Sequence, residues 1–247
     1  MLEHAKLGRK PVDERFEDRA AAGRALAEAL SVYRGRRDTL VLGLARGGLP
    51  VASEVARALD AELDVLVVRK IGAPAQPELA IGAIASGGAQ VLNEHIIAAL
   101  GLDQSTVQRA AQQAQNALEV REQRYRGSRL PPRIKGRTVI VIDDGVATGA
   151  TLEAAVRSIR AQEPAELITA VPVASPQAQR RLQRISDQFV ALQLPAGFSA
   201  VGQWYYRFDQ ISDEEVARLL DHAGRPPRAR GESTQTRSDS FPQATRQ

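Results

Sequence analysis

Residues 139–151 read VIVIDDGVATGAT and decide the fold. Four branched apolar residues in a row are typical of a strand buried on both faces, as in a parallel sheet. The strand ends at Asp143 and Asp144, a small-residue turn follows, and apolar residues at helical spacing begin at Leu152. A strand, a turn and a helix in this order form the unit in which α/β proteins bind ligands, beyond the carboxyl ends of their strands.

The turn in this unit has the properties of a phosphate site. It opens a helix, where free backbone N–H groups and the helix dipole favour an anion. Gly145 and Gly149 let the backbone approach that anion closely, and Thr148 and Thr151 add hydroxyl donors. The residues expected to contact the ligand here are Gly145, Val146, Ala147, Thr148, Gly149, Ala150 and Thr151.

The acidic pair constrains the ligand further, because two carboxylates beside a phosphate would repel it. Asp143 and Asp144 can instead accept hydrogen bonds from sugar hydroxyls or contact Mg²⁺ held by the phosphates. A ligand with both ribose and phosphate satisfies the whole segment; the alternative is an ordinary turn with a solvated acidic pair. Ala150 stands where a Walker A loop needs Lys, and neither this turn nor residues 43–48 contain G-x-G-x-x-G.

The segment resembles the signature of the type I phosphoribosyltransferases, in which apolar residues, two acidic residues and a T-G-x-T turn bind phosphoribosyl pyrophosphate. The resemblance implies that Asp143 and Asp144 hold the ribose hydroxyls and that residues 147–151 cradle the 5′-phosphate. It extends over roughly residues 15–215, and the form D-D-G-x-A-T-G-A-T is similar to a bacterial subgroup of unassigned substrate. Ala147 replaces the Asp that serves as the proposed base in the hypoxanthine-guanine branch, so the general base stays open.

A second loop is expected at the same crevice. An apolar strand at 40–44 runs into a glycine-rich turn, and a helical pattern follows at 49–59. Arg46 can pair bidentately with phosphate oxygens. In the family this loop binds pyrophosphate, which implies contacts from Ala45, Arg46, Gly47 and Gly48; the alternative is a structural glycine turn with an exposed Arg.

A third basic element directly follows the apolar residues 63–68. Arg69 and Lys70 at the carboxyl end of that strand would neutralise pyrophosphate as it leaves, although basic pairs are also common on surfaces. Residues 71–77 have the composition of a mobile loop, and the family often uses a loop near here as a lid. The residues expected to act in catalysis are therefore Asp143, Asp144, Arg46 and Lys70.

The alternation of patterns predicts an α/β fold with a doubly wound parallel sheet. An insertion, or hood, is expected at about 71–135, with a hairpin at 80–92 and helices at 93–100 and 104–126. Residues 1–223 are expected to form the domain, and 224–247 a disordered basic tail. The other predicted strands are 39–44, 63–68, 138–142, 166–172 and 187–192, and the other predicted helices are 19–33, 49–59, 150–162 and 176–184.

An aromatic cluster occupies residues 204–208. Trp204 is expected to stack on a planar base, with a core plug or an oligomer contact as the alternative. In related transferases a late acidic residue assists the metal, which makes Asp209, with Asp143 and Asp144, a candidate for contacting Mg²⁺ through the substrate. Residues 212–215 read SDEE and resemble a capping box at a helix start.

Composition excludes several classes of protein. The 247 residues contain no cysteine, and no apolar run approaches the ~20 residues of a membrane span. No secretory signal is visible, so we expect a cytoplasmic protein without a membrane partner. The net charge is +4, and most of it comes from the tail that begins at Gly224, which has five Arg against Glu232 and Asp239. The rest of the chain is nearly neutral, so nucleic-acid binding is not expected. A homodimer is a reasonable default.

These observations predict a transferase that uses phosphoribosyl pyrophosphate and Mg²⁺. It would transfer ribose 5-phosphate to an acceptor, expected to be a nitrogenous base, with release of pyrophosphate. The alternative is a non-catalytic regulatory protein that senses phosphoribosyl pyrophosphate or a nucleotide. A third reading is a hydrolase or phosphatase that acts on a ribose phosphate.

Overall fold

The structure, a computed structural model, describes residues 15–223. The expected basic tail at 224–247 lies outside the described residues, as do residues 1–14. The described residues contain eight strands: β1 (Thr39–Leu44), β2 (Glu62–Leu66), β3 (Val68–Ala73), β4 (Gln76–Ala85), β5 (Gln90–Leu92), β6 (Thr138–Ile142), β7 (Glu166–Val173) and β8 (Gln188–Gln193). The α-helices are α1 (Arg19–Ala29), α2 (Gly48–Leu59), α3 (Glu94–Ala99), α4 (Gln104–Arg126), α5 (Ala150–Arg160), α6 (Pro176–Leu182) and α7 (Asp213–Ala223).

The main sheet is parallel and has five strands in the order β2-β1-β6-β7-β8. It is buried on both faces except at the edge strand β8, which is only partly buried. Successive side chains of a strand point to opposite faces. In β6, Ile140 and Ile142 therefore join the core that contains α1, α2, α4 and α7, whereas Val139 and Val141 join the core under α5 and α6. This arrangement confirms the doubly wound sheet that the run VIVI predicts.

The chain reverses its direction of winding between β1 and β6. It leaves β1 through α2 to reach β2 on one side, and it later returns to β6 on the other side of β1. Adjacent parallel strands on either side of such a switch point leave a crevice beyond their carboxyl ends, where open α/β sheets bind ligands. The loops that begin at Ala45 and at Asp143 enter this crevice.

The predicted strand at 63–68 was wrong in its extent, because the chain changes sheets at Val67. The N–H of Val67 donates to the Ser86 hydroxyl at 2.9 Å, and β3 then pairs antiparallel with β4. Arg69 and Lys70 consequently lie inside β3 and do not follow the carboxyl end of a strand in the main sheet. The continuous apolar run before them gives no sign of this change.

A second, antiparallel sheet in the order β3-β4-β5 forms the hood together with α3 and α4. The predicted mobile loop at 71–77 is instead part of the hairpin between β3 and β4, with Ile71 fully buried and Ala73 paired with Gln76. The predicted hairpin at 80–92 is confirmed, and its first strand is longer than expected. The hood thus starts at Val68 and not at 71.

The remaining predicted elements are confirmed to within about two residues, with one exception. The helix predicted at 19–33 ends at Ala29, and a short 3₁₀ turn follows at Ser31–Tyr33. This turn buries the Tyr33 ring and lets its hydroxyl donate to Glu166 at 3.0 Å. Within residues 15–223, no helix is both long enough and apolar enough to cross a bilayer.

A buried ion pair fixes the end of α4 to the main sheet. Arg126 Nε donates to Asp64 Oδ1 at 2.9 Å, and Arg126 Nη2 donates to the Val65 carbonyl at 2.8 Å. The two charged side chains are only 8% and 4% exposed. Loss of one partner would leave the other charge buried without compensation, which is costly.

We expect Arg126→Met to lower the free energy of unfolding by about 3–5 kcal/mol, because Asp64 would lose its buried partner. Urea denaturation followed by circular dichroism measures this loss. Arg109→Met is the matched control, because Arg109 lies exposed on the same helix and its guanidinium donates to the Ser105 and Thr106 hydroxyls at the surface. Equal stability of the two variants would contradict the role of the pair.

Candidate active site

The glycine loop, residues 45–48, packs directly against the acidic pair. A Cβ atom on Gly47 would lie 2.1 Å from Asp144 Oδ2, and one on Gly48 would lie 2.5 Å from the Ile142 carbonyl oxygen. Real side chains do not approach so closely, so both positions require glycine. The peptide bond between Ala45 and Arg46 is cis. The structure therefore brings together the two loops that the sequence places on neighbouring strands.

Two helices begin at this crevice without a side-chain cap. The residues before α2 and α5 are Gly47 and Gly149, and neither has a side chain that could accept a hydrogen bond from the first turn. The other five α-helices of the described region are capped by side-chain oxygens of Asp18, Asn93, Asp103, Ser175 and Ser212. At α5 these N–H groups are thus left for an anion. At α2 the Leu49 N–H donates to the Arg46 carbonyl at 3.2 Å and Pro50 has no N–H, so the Gly48 N–H is the one left among its first three residues.

The turn before α5 is held in place by the end of β7. The Val146 N–H donates to the Val173 carbonyl at 3.0 Å, and the Ser175 N–H donates to the Val146 carbonyl at 2.9 Å. The Ser175 hydroxyl also donates to the Ala147 carbonyl. With its backbone fixed in this way, the turn presents Thr148 and Thr151 to solvent at the helix N-terminus.

The two carboxylates of the acidic pair have different surroundings. Asp144 is buried, and its Oδ2 accepts a hydrogen bond of 2.7 Å from Arg19 Nε. Asp143 is partly exposed, and its Oδ1 accepts a hydrogen bond of 2.9 Å from the Asp144 N–H. Burial raises the pKa of Asp144, against the effect of Arg19. Burial and then the Asp144 charge raise the pKa of Asp143 well above its usual range.

Arg19 is a residue of the candidate site that the sequence reasoning missed. Besides Asp144, it contacts the Asp209 carbonyl, to which Nη1 donates at 2.7 Å, and the Phe208 ring, whose centroid lies 3.8 Å from its guanidinium carbon. A cation in the first turn of a helix opposes the helix dipole. That unfavourable position, at the start of α1, was the available signal that Arg19 has a partner elsewhere.

The aromatic cluster lies next to the acidic pair, but one of its members has a structural role. The hydroxyl of the buried Tyr205 donates to the Asp144 backbone carbonyl, and its ring lies 5.0 Å from that of Phe208. The Trp204 ring lies 6.1 Å from that of Phe198. Its Nε1 is buried and finds no hydrogen-bond partner within the described residues. A role for Trp204 in stacking on a base remains a prediction.

The other expected site residues have different surroundings. Arg46 Nη1 lies 3.8 Å from Asp213 Oδ1, at the start of α7. Arg69 and Lys70 form no ion pair with any residue in 15–223. The Asp209 side chain is exposed, and no group of three or more His, Cys, Asp or Glu residues that could hold a metal occurs in the described part of the chain.

Comparisons with known proteins identify the family of this chain. A family model described as a phosphoribosyl transferase domain matches residues 14–193, and the chain belongs to that family of transferases. Relatives from two strains of Mycobacterium tuberculosis, whose names assign them provisionally to the phosphoribosyl transferases, are 44% identical over 210 residues. The matched region covers 85% of this chain and 47% of each relative, so the chain spans about half the length of these relatives.

A solved structure is also similar over nearly its whole length. The crystal structure of TT1426 from Thermus thermophilus has 47% sequence identity and a TM-score of 0.73. The match covers 83% of this chain and 97% of that one. An experimental structure therefore shares the fold of most of this chain.

We expect the pH dependence of stability to report the burial of Asp143. Asp143→Asn keeps the acceptor for the Asp144 N–H but removes a group with a raised folded pKa. Such a group favours the folded state below the unfolded pKa, and this contribution is lost as the pH rises through the folded pKa. The free energy of unfolding of the variant, relative to wild type, should therefore rise as the pH increases above about 4, the ordinary pKa of Asp. A difference that stays constant as the pH increases in urea titrations would contradict the raised pKa.

Proposed function

We propose that the chain is a transferase that uses phosphoribosyl pyrophosphate. The observation that carries the proposal is that the glycine loop packs directly against the acidic pair, which itself leads into the uncapped N-terminus of α5. Phosphoribosyl pyrophosphate has two anionic ends joined by a ribose with two free hydroxyls. The order of groups along the ligand, an anion, then hydroxyl donors, then a second anion, thus matches the order of the groups in the site that would bind them.

In this proposal each loop binds one part of the donor substrate. The turn at 147–151 and the N-terminus of α5 bind the 5′-phosphate, and Asp143 and Asp144 accept hydrogen bonds from the ribose hydroxyls. The glycine loop and the N-terminus of α2 bind the pyrophosphate. Arg46 and, from the hood, Lys70 add positive charge on the same side.

The reaction breaks the bond between the anomeric carbon and a pyrophosphate oxygen, which leaves with the electron pair. A nitrogen of the acceptor forms the new bond to the same carbon and then loses its proton. The protein contributes by holding the reactants in position and by stabilising the charge that develops on pyrophosphate. Bound Mg²⁺ would neutralise part of that charge. The acceptor is proposed to be a nitrogenous base, with Trp204 as a stacking surface.

The test is an assay of pyrophosphate release. The protein is incubated with phosphoribosyl pyrophosphate, Mg²⁺ and a panel of purine and pyrimidine bases, and pyrophosphate is measured with and without each base. Release that depends on one base supports the transferase and identifies the acceptor. Tight binding without turnover would indicate a sensor, and release that is independent of any base would indicate a hydrolase. Absence of binding in calorimetry would refute all three.

We expect Gly47→Ala to weaken the binding of phosphoribosyl pyrophosphate more than tenfold, about 1.4 kcal/mol. The added methyl group would occupy the position of Asp144 Oδ2 and displace either the carboxylate or the glycine loop. Gly197→Ala is the matched control, because a Cβ at that position meets no atom within 4 Å. Calorimetric dissociation constants that are equal for the two variants would count against a ligand held between these loops.

A further inference from the structure

Three arginines converge on one carboxylate beside the glycine loop. Asp213 Oδ2 lies 3.0 Å from Arg124 Nη1, and Asp213 Oδ1 lies 3.5 Å from Arg121 Nη2 and 3.8 Å from Arg46 Nη1. The Tyr125 hydroxyl donates to the same carboxylate at 2.7 Å. Arg46 belongs to the glycine loop, whereas Arg121 and Arg124 come from α4 of the hood.

This cluster has more donors and more positive charge than Asp213 can satisfy. Each guanidinium carries five N–H donors, and a carboxylate offers two oxygens and one negative charge. Glu214 pairs only with Arg124, and it is largely exposed. The Asp213 side chain is 16% exposed while that of Arg124 is 58% exposed, so the carboxylate lies inside the cluster and the guanidinium groups keep contact with solvent. An anion with more oxygens would satisfy the arginines better.

The cluster lies beside the glycine loop, the part of the crevice that is proposed to bind pyrophosphate. The segment from Tyr205 to Asp213 contacts the acidic pair first, through the Tyr205 hydroxyl and through Arg19, which binds the Asp209 carbonyl. The same segment reaches Arg46 at its other end. Asp213 thus stands next to the loop that precedes α2, where the second anionic group of the ligand is proposed to bind.

We infer that Arg121 and Arg124 extend the pyrophosphate site from the glycine loop to the hood, and that the Asp213 carboxylate occupies the place of an anionic oxygen until pyrophosphate displaces it. The inference rests on the proposed function for the identity of the anion. Displacement lets the three guanidinium groups bind the leaving group, whose charge grows as the bond to the ribose breaks. The purely structural reading, an ion network that ties α4 to α7, predicts an effect on stability alone.

The test compares the binding of two fragments, inorganic pyrophosphate and ribose 5-phosphate, each with Mg²⁺, by calorimetry on the full chain. In the double variant Arg121→Gln/Arg124→Gln we expect the dissociation constant for pyrophosphate to rise at least tenfold and that for ribose 5-phosphate to stay within twofold. Asp213→Asn should bind pyrophosphate at least threefold more tightly, because Asn keeps an acceptor for Tyr125 but removes the competing charge. Arg109→Gln, on the same helix, is the control and should resemble wild type.

The outcomes separate this inference from the proposed function. Unchanged pyrophosphate binding in the double variant, or an equal loss for both fragments, would overturn the inference, and so would weaker pyrophosphate binding by Asp213→Asn. If wild type binds pyrophosphate with the expected dependence on Arg121 and Arg124 but does not bind ribose 5-phosphate, the proposed function fails and the anion site stands. If wild type binds neither fragment, both are refuted.

Discussion

The contact between the Asp144 carboxylate and the glycine loop governs the arrangement of the site. A carboxylate that lies where the Cβ of residue 47 would be can exist only if that residue is glycine. The same carboxylate is too buried to remain charged without a partner, which Arg19 supplies from α1. Arg19 in turn requires the segment after Tyr205 to return to the crevice, because Phe208 and the Asp209 carbonyl complete its surroundings.

Without ligand, the site keeps several interactions unsatisfied. Two helix N-termini lack caps, and two neighbouring carboxylates have pKa values raised by burial. Each of these features costs stability in the free protein, as is common for residues arranged for function. A ligand with two anionic groups and hydroxyl donors between them would relieve all of them together. The cost to the fold and the recognition of the ligand therefore have the same physical origin.

The sequence allows the local parts of this site to be predicted, but not the long-range ones. The run VIVI, the acidic pair and the glycine turn are contiguous, so their order alone gives the strand, its end and the helix start. The bond between Arg19 and Asp144 joins residues 125 positions apart, and no local pattern specifies such a pair. The change of sheet at Val67 was missed for a related reason. Its partner Ser86 directly follows β4, far away in sequence, and the apolar run that includes Val67 continues without a break.

The segment from Tyr205 to Asp213 links parts of the site that belong to different layers of the fold. It supports the acidic turn through Tyr205, holds Arg19 through Asp209 and reaches the arginines of the glycine loop and of α4 through Asp213. The hood and the main sheet therefore meet at the ligand crevice through side chains that this segment brings together. A ligand that displaces Asp213 would change the contact between α7 and α4, since Tyr125 would lose its acceptor and Arg124 would exchange Asp213 for the ligand. Occupancy of the proposed pyrophosphate end would in this way be coupled to the position of the hood, from which Lys70 is proposed to act.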